Sequence, residues 1–385
     1  MKLKSFIGAA GACALAAGVM VGVAGPAAAD PAGPSTSINV DGGGSDTTQD
    51  VMNAIANDAG YSSWNALNPT TGAAHDLIDT KTTAACTDIS RPNGSSEGVA
   101  ALRRSLSATS TATYPGATWA AGSGCFDFAR SSSGPGGNAS PQGLLQYIPF
   151  ALDGVTVAVG PASGADATVI GGTFDLAELQ AMYSAGTPAV ASNGVTYDPR
   201  TDDGLTGTEI HLLIPQPGSG TRNFFAGAMG INATTPPAWV RDTFTPTAGG
   251  AAQSVQEHDG TAVRLDHNAL MPYSIAQWLS QQSHPAIDRR DGARLQNIGT
   301  LSPFDSTGLR LNTQFHPSLV REVYNVISRA AVDAGTSNTL NTIFVGSNPL
   351  VGVCSFTGRI TEYGFGTIGS RCGVVDPNLR AFATL

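Results

Sequence analysis

Ser219, Gly220, Thr221 and Arg222 follow an apolar run at 210–214 and a Pro217-Gly218 break, within the stretch IHLLIPQPGSGTRNFFAGAM. Strand, glycine turn and helix start, in that order, form a cradle for an anion. The first N–H groups of a helix have no intrahelical acceptor, and the helix dipole places about half a positive charge beside them. The two hydroxyls add donors, and the Arg222 guanidinium can hold an oxyanion through two N–H groups. The same four residues also read as a plain N-cap, a common use of Ser or Thr ahead of a helix.

Two further units share the design. Residues 42–48, GGGSDTT, join a strand candidate at 38–40 to a helix-spaced segment at 49–59. Residues 93–98, NGSSEG, join a strand candidate at 86–90 to a helix at 99–105. Next comes an apolar strand running into Arg130-Ser131-Ser132-Ser133, a polar turn with a guanidinium at its lip. Each turn alone can be explained by capping. Together they aim more hydroxyls and free N–H groups than capping needs.

The elements that must position these turns follow from apolar periodicity. Strands are expected at 144–150 and 155–159, broken at Asp153-Gly154, with a helix at 174–183 and a strand–turn at 253–260. A strand leads into a helix across 269–281 despite Pro272, a β-branched strand covers 320–327, and a helix covers 340–345. Residues 60–85 read as a loop insertion and 160–172 as a linker. Strands alternating with helices, with glycine turns at strand ends, argue for an α/β fold whose ligands sit beyond the carboxyl ends of strands.

Composition narrows the function. Lys2-Leu3-Lys4, a small apolar run and Ala27-Ala28-Ala29 before Asp30 read as a secretory signal peptide over 1–29. Cys13 sits early in that run for a lipid anchor. No later segment approaches the ~18 apolar residues of a membrane span, and what remains is long enough for two cores. Beyond the leader stand Cys86, Cys125, Cys354 and Cys372. An even count in an exported chain reads as two disulfides, with Cys86–Cys125 and Cys354–Cys372 as the local pairing and no zinc spacing. A net charge of −9 argues against nucleic acid and anionic lipid as partners, though not against a small buried anion. No cofactor and no metal are expected.

The ordered motifs GSDTT (44–48), NGSSEGV (93–99), DFARSSSGP (127–135), IPFALDGVTVAV (148–159) and PGSGTRNFF (217–225) resemble the phosphate-binding proteins of bacterial ABC uptake systems, which are type II periplasmic binding proteins. HPSLVREVYNVI (316–327) and GFGTI (364–368) resemble that family's return strand and C-terminal segment. The resemblance implies an α/β fold of two lobes, each a mixed sheet flanked by helices, joined by crossover strands. Lobe one would take 30–152 and 266–385, and lobe two 153–265. Ligand contacts implied by position are Thr47, Thr48, Ser95, Ser131, Ser132, Ser219, Gly220 and Thr221.

Two positions depart from the family. Ser132 stands where the family has an aspartate that accepts the proton of hydrogen phosphate, and Pro215-Gln216-Pro217 stands where it has an arginine. Arg130 and Arg222 are the candidates to restore the positive charge. The reading is a monomeric extracellular solute-binding protein of the bacterial envelope that captures phosphate or a related oxyanion and passes it to an ABC permease. The alternatives are a secreted phosphohydrolase on the same scaffold, or a surface protein without a ligand. No G-x-S-x-G or H-E-x-x-H frame supports an enzyme, and His258-Asp259 reads as a loop pair.

Overall fold

The computed structural model describes residues 30, 31, 33, 37–161, 170–199, 208–246 and 250–385. The expected leader with Cys13, and most of the linker-like 160–172, lie outside the described residues. Eight strands carry the site: β1 (Asp41–Gly44), β2 (Ser62–Ser63), β3 (Phe128–Ser131), β4 (Leu145–Val159), β5 (His211–Leu213), β6 (Val240–Arg241), β7 (Ala269–Ser274) and β8 (Val320–Ser328). They lie side by side in the order β6-β5-β7-β4-β8-β3-β1-β2. The helices that matter are α1 (Gln49–Ala59), α2 (Ser95–Leu106), α3 (Leu176–Ala185), α4 (Gly220–Met229), α5 (Thr261–Leu265) and α6 (Ile275–Ser283). The fold is mixed α/β.

Each end of the strand order is parallel, β2-β1-β3 at one side and β6-β5-β7 at the other. Between them, β4 and β8 run antiparallel to every strand they touch in that order. β4 joins the two ends by changing partner: Leu145 to Gly154 pair with β8, and Val155 to Ala158 pair with β7. The sequence reads this segment as two strands, whereas the chain runs through as one. Asp153 is fully buried at the change, where Ser274 Oγ and the Ala276 N–H donate to its Oδ1 and Arg321 donates to its Oδ2. A carboxylate satisfied on both oxygens needs no turn to reach water. Gly154 fits because a Cβ there would lie 2.8 Å from Ile275 Cδ1.

The first strand also differs from expectation. It occupies Asp41–Gly44, an aspartate and three glycines, not 38–40. A Cβ on Gly42 would sit 2.4 Å from the Phe128 ring, and one on Gly44 would sit 2.8 Å from the Arg130 carbonyl oxygen. Only glycine lets β1 lie this close to β3 and α2. The turn proper is therefore Ser45 to Thr48, directly on α1.

Apolar spacing buries one stripe of each helix. Val51, Met52 and Ile55 of α1 pack with Phe128, Ile148, Phe150 and Val323, and Val99 and Leu102 of α2 pack with Tyr147 and Val326. At the other end, Leu179, Met182, Phe225 and Met229 from α3 and α4 meet Val155, Val157 and Leu212. The α3 start is fixed by an Asp175–Glu178 capping box. Both disulfides are present as expected, Cys86–Cys125 and Cys354–Cys372.

Asp30, the residue that follows the expected cleavage site, is tied down. Its carboxylate accepts from both terminal nitrogens of Arg91 at 3.1 and 2.8 Å and from the Asn65 N–H at 2.9 Å. Arg91 is buried, so losing this partner strands a charge away from water. Asp30→Ala is expected to lower stability by on the order of 3 kcal/mol, read as a shift in the urea midpoint with an unchanged slope. A shift no larger than that of an exposed control such as Asp333→Ala would contradict the anchoring role.

Candidate functional site

The starts of α2 and α4 face each other across the boundary that β4 bridges. The Ser96 N–H donates to the Gly218 carbonyl oxygen at 3.0 Å, and Asn223 Nδ2 donates to Ser96 Oγ at 3.3 Å. Gly220 makes the approach possible, since a Cβ there would lie 2.2 Å from Ser95 Oγ and 2.3 Å from Ser132 Oγ. Gly218 takes a positive φ of 91° to turn the chain from β5 into α4, where Ser219 caps the helix by accepting from the Arg222 N–H at 2.9 Å.

Four buried hydroxyls meet at this junction. Thr47 Oγ1 lies 3.1 Å from Ser132 Oγ, 3.2 Å from Thr221 Oγ1 and 3.0 Å from Glu257 Oε2. Ser95 Oγ accepts from the Ser132 N–H at 3.0 Å and lies 3.3 Å from Ser132 Oγ. Thr47 has a single proton, which it can give to only one of Glu257 Oε2 and Ser132 Oγ at a time, the carboxylate being the stronger acceptor. Arg321 Nη2 donates to Thr221 Oγ1 at 2.9 Å while also holding Asp153 Oδ2 at 2.9 Å. Arg321 Nη1 and Glu257 Oε1 are both buried without a hydrogen-bond partner. Both belong to side chains that touch the junction hydroxyls through their other terminal atom, Arg321 through Nη2 and Glu257 through Oε2.

The positions implied by the sequence divide into two groups. Thr47, Ser95, Ser132, Gly220 and Thr221 come together at the junction. Thr48 is buried at the α1 start with an unpartnered hydroxyl. Ser131 closes a local turn with the backbone of Ser133, and Ser219 is used as the cap. The two arginines do not reach the hydroxyls. Arg130 is fully buried behind β1, donating to the Ser45 carbonyl oxygen and Ser63 Oγ, and burial pushes its guanidinium down to about 10. Arg222, also buried, donates instead to the Pro215 and Ala233 carbonyl oxygens and to Asp242. The guanidinium at the junction is Arg321, from β8.

Glu257 and His258 were not read from the sequence as site residues. His258 does not pair with Asp259. A positive φ of 55° turns its ring inward, so that Nδ1 lies 3.0 Å from Asp46 Oδ2 and Nε2 lies 3.4 Å from Thr221 Oγ1. Tyr273 Oη donates to the His258 carbonyl oxygen, fixing the turn. Arg289 Nη2 reaches Asp46 Oδ1 at 3.1 Å. Burial raises the Asp46 carboxyl, but the Arg289 charge and the hydrogen bonds from His258 and Arg289 outweigh it and hold the group at about 2. Among the described residues no group of His, Cys, Asp and Glu could hold a metal ion, and no helix is long and apolar enough to cross a membrane.

No protein-family model matches this chain, and no curated protein matches it. Solved structures do. An ABC-type phosphate transport receptor from Vibrio cholerae shares 15% identity over 85% of this chain and 99% of its own, with a TM-score of 0.44. A phosphate-binding protein from Stenotrophomonas maltophilia shares 14% identity over 86% of this chain and 91% of its own, with a TM-score of 0.40. The chain is similar to phosphate receptors.

The Asp46 geometry sets a pH dependence. Its carboxyl titrates lower folded than at its ordinary 3.8, so between those values the unfolded chain binds more protons. Stability from this group is present above about pH 4 and is lost as pH falls towards about 2. Asp46→Asn is expected to cost about 2 kcal/mol at pH 6 and nothing near pH 2, measured by urea unfolding at each pH. A penalty that persists at pH 2 would show that Asp46 acts by shape and not by charge.

Proposed function

We propose that this chain is an extracellular solute-binding protein that captures phosphate or a related oxyanion between two lobes for uptake by an ABC-type transporter. In this reading the lobes are 30–152 with 266–385, and 153–265. The leader at 1–29 directs export and is then removed, and the protein acts as a monomer. The observation that carries the reading is the junction itself: hydroxyls from both sides, two opposed helix starts and one guanidinium converge on a single point. The ligand contacts are Thr47, Ser95, Ser132, Gly220, Thr221 and Arg321, with Thr48 beside them. Ser131, Ser219, Arg130 and Arg222 serve as supports that fix the turns.

The two departures from the family pattern have local replacements here. Arg321 supplies positive charge from β8, and Glu257 supplies the carboxylate acceptor from the opposite side of the junction to Ser132. A ligand oxygen that carries a proton can donate to Glu257 Oε1, whereas a fully deprotonated oxyanion meets a buried negative charge with nothing to share. The site therefore favours hydrogen phosphate over sulfate. The hydroxyls now contact one another, so an entering ion replaces these contacts and the lobes part about β4 to admit it, as in hinge closure around a ligand.

The line Asp46–His258–Thr221 has the order of a hydrolase relay. However, Thr221 Oγ1 already accepts from Arg321, and the longer 3.4 Å approach of His258 Nε2 completes the hydroxyl's surroundings. Binding is the function these contacts suit.

Calorimetric titration tests the reading. The wild-type chain is expected to bind inorganic phosphate, and Thr47→Val combined with Thr221→Val is expected to weaken binding 10-fold or more, at about 1.5–3 kcal/mol for each hydrogen bond to a charged group. Glu257→Gln is expected to narrow the preference for phosphate over sulfate. Equal phosphate affinity in the double variant and the wild type would refute the site, and an unchanged preference in Glu257→Gln would refute the acceptor role.

A further inference from the structure

A cavity of about 710 Å³ opens beside the hydroxyl junction, between the two sides of the molecule. Ser95 belongs to both, lining the cavity and contacting Ser132 Oγ at 3.3 Å in the junction. One wall carries Ser133, Asn138 and Tyr147, and the other carries Asn223, Phe224 and Gly227 of α4. The Arg321 guanidinium stands 5.1 Å over the Phe224 ring. The residue that supplies charge to the junction therefore also covers an aromatic wall of the cavity. An inorganic ion uses none of this volume, which falls within the roughly 300–1,000 Å³ of small-molecule sites.

We infer that the physiological ligand is a phosphate monoester of a neutral polyol, with its phosphoryl group in the hydroxyl junction and its organic part in this cavity. The inference rests on the oxyanion reading and extends it. Wall chemistry selects the class of ester. Hydroxyl and amide groups from Ser133, Asn138 and Asn223 can donate to and accept from sugar-like hydroxyls, while Phe224 and Tyr147 offer faces to C–H groups. No charged side chain lines the cavity. A ligand with a second charged end would have to leave that charge unpaired. Glu257 Oε1 accepts a hydrogen bond from the one proton that the singly charged ester keeps, so binding is strongest below the second phosphate pKa of about 6. The titratable group facing Glu257 is His258, whose Nε2 lies 3.9 Å from Oε2.

Two glycines make the cavity open to test. A Cβ added at Gly227 or at Gly137, on opposite walls, would meet nothing within 4 Å. Tryptophan at either position adds bulk at the cavity wall from an unhindered Cβ, and Gly227→Trp also improves helix propensity in α4. The wild-type chain, Gly227→Trp and Gly137→Trp are titrated calorimetrically at pH 5.5 with inorganic phosphate, glucose 6-phosphate and glucose, after thermal melting confirms that each variant is folded. The wild type is expected to bind glucose 6-phosphate at least tenfold more tightly than inorganic phosphate. Both variants are expected to lose that advantage while holding inorganic phosphate within about twofold of wild type. Binding of inorganic phosphate with weaker or no binding of the ester overturns this inference and leaves the oxyanion reading standing. Ester affinity unchanged in both folded variants overturns the assignment of the cavity. If neither anion binds the wild type, the oxyanion reading and the ester inference both fall.

Discussion

The ion pair between Asp153 and Arg321 is the contact on which the rest depends. Asp153 stands where β4 leaves β8 for β7, and its two oxygens hold β7, the first turn of α6 and β8 together. A buried carboxylate there would be costly alone; with Arg321 and two further donors it is fully satisfied. Arg321 then reaches on to Thr221 at the start of α4. One guanidinium thus joins the strand that crosses the molecule to the helix start that would hold the ligand. Electrostatics at the site and continuity of the sheet are the same interaction.

This arrangement explains how a chain of net charge −9 can present an anion site. Positive potential comes from one side chain and from helix starts that carry no formal charge. The other arginines are occupied elsewhere: Arg130 braces the back of β1, Arg222 holds the loop beyond α4, and Arg289 neutralises Asp46. Each is committed to carbonyl oxygens, carboxylates or, for Arg130, the Ser63 hydroxyl as well. The unpartnered atoms beside the junction, Arg321 Nη1 and Glu257 Oε1, would suit the proposed ligand, which both accepts and donates.

Much of the scaffold was legible in the sequence because local signals set it. Apolar spacing marked α1, α3 and β8, the strand–glycine turn–helix order marked α4, and local loop closure gave the pairing of both disulfides. The hydroxyls at Thr47, Ser95, Ser132 and Thr221 were legible because each follows a strand and opens or precedes a helix or turn. Charged members of the junction were not. Arg321 lies in an apolar strand, VREVYNVI, where an arginine reads as a solvated face, and its partners stand 168 and 100 residues away. His258 reads locally against Asp259, and only its left-handed backbone, with Asp46 212 residues away, shows the true pairing. The continuity of β4 through Asp153-Gly154 was hidden for the same reason. A residue that breaks a strand when alone continues it when a distant guanidinium satisfies it.

The most direct test is a crystal structure of the chain grown in phosphate. Tetrahedral density is expected, bounded by Thr47, Ser95, Ser132 and Thr221, with Arg321 Nη1 and Glu257 Oε1 both within hydrogen-bond reach of it. Density elsewhere, with the four hydroxyls still in contact with one another in saturating phosphate, would contradict that expectation.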